Sequence, residues 1–319
     1  MPNLSRLVDD EVELPGGPRL AIRRAEGDGR PFLLIHGLAS NARMWDGVAQ
    51  RLAAAGHPVA SVDQRGHGRS EETKTGYGTE QCAADLATLC ISLGFTGRRA
   101  PVVAGQSWGA DVGLTLAAGY AGVAALALVD GGWIRLASRF PTFERCWQAL
   151  EPPHFDGMSM TDLAAGIQRW HPDWPAEGHA AVLSNFFELP GGGVRARLSR
   201  DHHRSILCSL WAADPRRLYP LVSVPVLLVP AVPADPDDRP LDAAEAGMAT
   251  RSEVAEALAL LPRAEVVEYV GADHDLHVQH PDRLARDLLS LSARAEVNAA
   301  AGAVPDRQEA GRFDLGAAE

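Results

Sequence analysis

A chain of 319 residues, 46% of them hydrophobic and 22% charged, has the balance of an ordinary globular protein with a sizeable core. It can be one large domain or a domain carrying an insertion. Its formal net charge of −11 excludes the basic stripe that a nucleic-acid binder needs to neutralise phosphates. Lys74 is the lone lysine among thirty basic residues, and with abundant alanine this reads as a GC-rich genome rather than a functional arginine surface. Residues 1–13 carry Arg6, Asp9, Asp10, Glu11 and Glu13 and no apolar run of signal-peptide kind. No stretch reaches the ~18 uncharged apolar residues that span a bilayer. Four scattered cysteines read as reduced thiols; Cys82 and Cys90, on one predicted helix, lie ~12 Å apart by helical rise and cannot bridge. The expectation is a cytoplasmic protein without membrane or nucleic-acid partners.

In chain order, residues 4–24 predict a hairpin around Pro15-Gly16-Gly17-Pro18. Residues 32–35 form a short buried strand, and 45–55 an amphipathic helix ended by Gly56. A second strand at 58–62 runs into Asp63-Gln64-Arg65-Gly66-His67-Gly68. Helical spacing over 79–93 precedes Gly94. Strands follow at 102–104 and 123–129, the latter running into Asp130-Gly131-Gly132. The alternation then breaks between 131 and 222, where eleven of the nineteen aromatics fall, in short helical pieces separated by prolines and by Pro190-Gly191-Gly192-Gly193. Most of these aromatics are expected to build the insertion's own core, leaving several to line a pocket, with Trp133, Phe140, Phe186 and His203 as the candidates. Alternation resumes with a strand at 224–229, a helix at 252–261, a strand at 265–270 and a last helix from 281 to about 293. The Ala/Gly-rich end reads as a disordered tail. The fold class is therefore α/β, a mostly parallel central sheet with helices on both faces. Its core spans residues 1–130 and 223–295, with a helical insertion at 131–222 and the tail at 296–319.

The run Val102-Val103-Ala104 ends in Gly105-Gln106-Ser107-Trp108-Gly109. A serine on a sharp strand-to-helix turn needs neighbours without Cβ atoms, because the flanking chain passes very close. The turn raises the hydroxyl above the sheet and leaves backbone N–H groups of the next helix free beside it. The pattern alone is weak, but here a β-rich run precedes it and a helical run follows.

Four segments, His36-Gly37-Leu38, Asp63 to Ser70, Gly105 to Gly109 and Gly271-Ala272-Asp273-His274, occur in an order that resembles the α/β-hydrolase superfamily. The resemblance covers roughly residues 15–130 and 222–292, with the insertion at the family's lid position. It implies Ser107 as nucleophile and His274 as its base, with His277 in reserve. The acid is Asp130, just past the strand at 123–129, or Asp235 in a proline-stiffened loop that lacks the family's glycine; Asp130 is preferred. The backbone N–H groups of Leu38 and Trp108 are the implied oxyanion donors. His36 and the 63–70 turn resemble scaffold elements. His202-His203 with Asp201 lacks a second cluster of ligand spacing and reads as an exposed helix face, or else as a histidine reaching the substrate. No phosphate loop or dinucleotide fingerprint occurs.

These residues predict acyl transfer: a serine esterase or lactonase acting on a bulky, hydrophobic ester or lactone, with no metal and no cofactor. Relatives with the acid after this strand include zearalenone lactonases, which makes large aromatic lactones a substrate class to test. Ser107 sets the chain apart from dehalogenases and epoxide hydrolases, which use an aspartate nucleophile. Carbon–carbon hydrolysis of a ring-fission diketone is the rival reaction, distinguished by activity on a vinylogous acid where simple esters are ignored. Perhydrolase chemistry uses the same triad. A non-catalytic ligand receptor on this fold is the rival of another class, and a Ser107→Ala variant that kept biological activity would favour it. A homo-oligomer is compatible with all of these.

Overall fold

The computed structural model describes residues 6–232, 234 and 251–300. Strand β1 (Val8–Glu13) pairs antiparallel with β2 (Arg19–Ala25) across a turn at Leu14–Pro18 in which the Gly17 N–H donates to the Leu14 carbonyl at 3.0 Å. Strands β3 (Phe32–Ile35), β4 (Val59–Val62), β5 (Val102–Gln106) and β6 (Ala125–Val129) are buried at every position. Such runs suit a sheet covered on both faces. Between them lie helices α1 (Asp46–Ala54), α2 (Thr79–Ser92) and α3 (Trp108–Gly119).

After β6 the chain leaves the sheet through α4 (Leu136–Arg139), α5 (Phe143–Leu150), α6 (Met160–Trp170) and α7 (Ala176–Leu183). A hairpin of β7 (Phe186–Glu188) and β8 (Val194–Ala196) and helix α8 (Arg200–Ala212) complete this excursion. It then returns as β9 (Val226–Val229) and β10 (Ala231–Val232), followed by the helix Arg251–Leu260, β11 (Ala264–Val266) and β12 (Tyr269–Val270). The eight-stranded sheet has the order β1-β2-β4-β3-β5-β6-β9-β11 and is parallel from β4 to β11.

Successive residues of one strand feed opposite cores, as the pleat requires. Leu33 and Ile35 join one cluster with residues of α2 and α3. Phe32 and Leu34 join the other, with α1 and Leu284, Leu288 and Leu291 of the C-terminal helix Pro281–Ala300. Each of these fully buried side chains contributes about 1.5–3 kcal/mol by burial.

Three expectations change. The strand expected at 265–270 is two strands in two sheets, β11 on β9 and β12 on β10. The break mirrors Pro230 between β9 and β10, which has no N–H to give to a ladder. The Pro190–Gly193 stretch is a hairpin turn rather than a break between helices, with Gly191 and Gly192 at φ 113° and 87°. The last helix runs on through Ala300; the expected tail lies outside the described residues from 301 onward. The aromatics of 131–222 mostly pack on one another, Phe143, Trp147 and Trp211 around Cys146 and Leu207, and Phe155 and Phe186 beside Leu163 and Ile167. All four cysteines are free.

Candidate active site

Ser107 sits between the last residue of β5 and the first of α3, at φ 53°. A non-glycine residue there costs about 1–3 kcal/mol unless the surroundings enforce it. The Ser107 N–H donates to the Val129 carbonyl (2.9 Å) and its own carbonyl accepts from Ala110 N–H (2.8 Å). The flanking glycines are required by close approach: a Cβ on Gly105 would lie 2.0 Å from the Gly109 oxygen, and one on Gly109 2.5 Å from the Ile35 and His36 oxygens. Helix α3 thus rests directly on β3 and β5. Among the described residues the Ser107 hydroxyl makes no hydrogen bond.

Asp130 follows β6, the strand next to β5, and is 1% exposed. Its N–H donates to the Val229 carbonyl (2.9 Å), which turns the residue to φ 44°. One carboxylate oxygen accepts from the Ala231 N–H (3.0 Å), the other from His274 Nδ1 (2.7 Å). A Cβ on Gly131 would lie 2.3 Å from the Ser107 oxygen, so the acid loop abuts the elbow.

His274 follows β12 and the Gly271 turn, with its side chain 41% exposed. Burial works against a charged ring, but the hydrogen bond and charge of Asp130, with Asp275 and Asp273 behind them, override it and raise the pKa to about 9. The backbone here is held from two sides. Gln106 Nε2 donates to the His274 carbonyl (3.0 Å), and Trp174 Nε1 donates to the Asp273 carboxylate (2.8 Å). The Gln279 amide oxygen accepts from the Asp273 N–H (3.0 Å). The sequence pointed to none of these three anchoring side chains. Gln106 was visible only as an unspecified position of the serine motif, and nothing local marks Trp174.

His277 is fully buried against the Trp45 ring, 4.6 Å between centroids, with both nitrogens unpartnered among the described residues. Burial, then the neighbouring His274 and His36, lowers it to about 3, and Asp130 bonds to His274 and not to it. Asp235 lies outside the described residues.

The Trp108 N–H opens α3 and has no partner within the helix. Leu38 follows His36-Gly37, and a Cβ on Gly37 would lie 3.1 Å from Ser107 Cβ, so this loop touches the elbow. His36 has a scaffold's bonds: Nδ1 donates to the Gly37 carbonyl (2.7 Å) and Nε2 accepts from the Gln64 N–H (3.0 Å). His67 does likewise, donating to the Arg65 carbonyl (3.0 Å) and accepting from the Ala39 N–H (3.3 Å). Asp63 ties the same turn to the Ala42 and Arg69 N–H groups.

A cavity of about 830 Å³ lies between Ala39 and Ser40 after β3, the 66–72 turn and the segment after β6, and neither Ser107 nor His274 lines it. Phe186 and His203 line it; Trp133 and Phe140 do not. Trp133, tethered to Gly131-Gly132, is drawn into the core and is 2% exposed. Phe140 packs with Trp211, whose Nε1 donates to the Phe140 carbonyl (2.9 Å). The expected exposed face at His202-His203 is corrected as well. His203 is buried, its pKa lowered to about 4 by burial and then by Arg200, and His202 stacks on Tyr77 at 4.0 Å. Among the described residues no group of three or more His, Cys, Asp or Glu side chains could hold a metal, and no helix is long and apolar enough to cross a membrane.

A nucleophile elbow, a buried aspartate on a histidine and a parallel sheet beneath them define the class of an α/β hydrolase. The chain belongs to the Alpha/beta hydrolase family, whose model matches residues 32–287. It is similar to the 2-(acetamidomethylene)succinate hydrolase of Mesorhizobium japonicum, 37% identical over 97 residues, 30% of this chain and about a third (34%) of that protein's length. A crystal structure of E-2-(acetamidomethylene)succinate hydrolase superposes with a TM-score of 0.72 at 23% identity, over 90% of this chain and 99% of that one. An N-acyl homoserine lactonase superposes at 0.68 and 16% identity, over 91% and 98%. At these identities the superpositions speak for the fold.

Proposed function

We propose that this chain is a serine hydrolase that transfers an acyl group from a carboxylic ester or lactone to water. The observation that carries the reading is the 2.7 Å bond between Asp130 and His274 beside the Ser107 elbow. Asp130 accepts a hydrogen bond from Nδ1–H of the imidazole, which leaves Nε2 free to accept the Ser107 proton as the hydroxyl attacks a carbonyl; the carboxylate stays ionised and stabilises the imidazolium that forms. The N–H groups of Leu38 and Trp108 bind the developing oxyanion, each worth about 3–4 kcal/mol in such sites. The protonated ring then gives its proton to the leaving alkoxide. Water, deprotonated by the same ring, releases the acid from the acyl-enzyme.

The substrate is bulky, in keeping with a cavity of about 830 Å³ walled by Phe155, Phe186, Val194 and Leu198. The segment 131–222 serves as the lid over it. The similar proteins, one a hydrolase named for an acetamido substrate and the other a homoserine lactonase, support carbonyl chemistry. The test is turnover of p-nitrophenyl esters, small lactones and large aromatic lactones by the wild type beside Ser107→Ala. Turnover lost in the variant supports the reading. Turnover that survives it, or cleavage only of a vinylogous diketone, overturns it.

A further inference from the structure

Three arginines line the cavity, and they differ in what they face. Arg200 is paired with Glu151, donates to the Pro152 carbonyl (2.9 Å) and lies over the Trp147 ring. Arg195 is exposed, 5.3 Å from the Phe187 centroid. Arg197 is different. It is half-buried, and among the described residues no carboxylate pairs with it; burial first, then the like charge of Arg69, depresses its pKa.

Two backbone carbonyls fix its position. Nε donates to the Ser184 carbonyl (2.7 Å) on the excursion after β6, and Nη1 to the Gly68 carbonyl (3.4 Å) on the turn of the sheet domain. The Phe187 ring lies 4.0 Å from the guanidinium carbon. The nearest acid that influences it, Asp63, spends its oxygens on the Ala42 and Arg69 N–H groups at 2.7 and 2.9 Å. Of the acids that line the cavity, Glu151 is paired with Arg200, Glu72 faces His202 (3.2 Å), and Asp156 is exposed.

A guanidinium cannot shed its proton at any ordinary pH. Two carbonyls and a ring offset part of the cost of holding it half-buried, and an anionic occupant would supply the charge they lack. Its flat fork, with Nη2 uncommitted, matches a carboxylate. On a chain of net charge −11, an anion is attracted only where a local positive group overrides the whole. We propose that Arg197 binds a carboxylate of the substrate, so that the ester or lactone opened at Ser107 is an amphipathic acid, with its apolar body against Phe155, Phe186 and Leu198. This rests on the hydrolase reading above.

The test compares the p-nitrophenyl monoester of adipic acid with p-nitrophenyl hexanoate, which match in length and differ in the terminal carboxylate. In the wild type kcat/KM favours the charged ester. In Arg197→Met the ratio of the two falls about 10- to 100-fold, carried by KM, and Arg197→Lys recovers part of it. An unchanged ratio overturns the proposal. Independently of turnover, adipate binding to Ser107→Ala is measured by calorimetry, with and without Arg197→Met. Binding that requires Arg197 supports the carboxylate site even if neither ester is cleaved, which would count against the hydrolase reading alone. No binding, with no preference for the charged ester, overturns the site and leaves the hydrolase reading standing. Should Arg197→Met fail to fold, competition in the wild type by adipate against its neutral diamide decides, and equal inhibition refutes the proposal.

Discussion

Replacing Asp130 with asparagine removes the charge that sets both the tautomer and the basicity of His274. With its pKa near 9, the resting ring is mostly protonated at neutral pH and must lose that proton before it can accept the one on Ser107. The wild-type kcat/KM should therefore climb with pH, reach half its plateau near 9 and level off above it. In Asp130→Asn the depressing effect of burial remains while the acid's pull is gone, so the rising limb moves to lower pH. The plateau itself drops by about 10⁴-fold, the size of loss seen when a triad acid becomes an amide and holds the wrong tautomer. Stability follows the same pair. A ring pKa raised on folding stabilises the native state fully below about 6.5 and loses that contribution as pH rises through about 9. A rise of this size corresponds to at most about 3 kcal/mol. With the ring 41% exposed, solvent screening reduces this to about 1 kcal/mol. The variant should thus melt about 2–4 °C lower at pH 6 and nearly level with wild type at pH 9.5. A pH–rate series on a p-nitrophenyl ester and thermal melts at the two pH values read both effects. The reasoning fails if Asp130→Asn keeps a tenth or more of the turnover, and decisively so if Asp235→Asn abolishes it instead.

Three further substitutions probe the scaffold. Gly105→Ala drives a Cβ to 2.0 Å from the Gly109 oxygen and should cost about 3 kcal/mol in urea unfolding. Gly113→Ala, whose Cβ meets only side chains at 3.3 Å or more, is the control and should change stability by less than about 1 kcal/mol. Trp174→Phe removes the donor to Asp273 and loosens the loop that carries His274. Its kcat should fall about 3- to 10-fold with KM and the melting temperature held, and a fall in melting temperature instead would make Trp174 a packing residue only.

The sheet strands were legible because they are short apolar runs buried on both sides, Phe32–Ile35 and Ala125–Val129 above all. The glycines at 105 and 109 were legible because contact with backbone oxygens tolerates no side chain. What escaped was set by partners distant in sequence. The division of 265–270 depends on Pro230, which separates β9 from β10 far away in the sequence. Strands of three residues, β7 and β8, are too short to show a period of two. Trp174 acts on Asp273 across 99 positions, and the packing of His202 is set by Tyr77. A residue's role in an insertion is decided by what lies beneath it, and local pattern carries no record of that.

The wide spacing of the reacting groups also has a temporal meaning. Asp130 and His274 stand 144 positions apart, and the helix Pro281–Ala300 that follows the base docks on α1, where Arg51 grips Asp282 at 2.5 and 2.8 Å. On a ribosome adding about 5–20 residues per second, roughly 7–30 s separate synthesis of the acid from synthesis of its partner. A nascent chain can therefore hold a finished serine turn while lacking any base to awaken it. On the function proposed above, activity waits for the helix Pro281–Ala300 to close against α1, whose Arg51 precedes Asp282 by 231 positions.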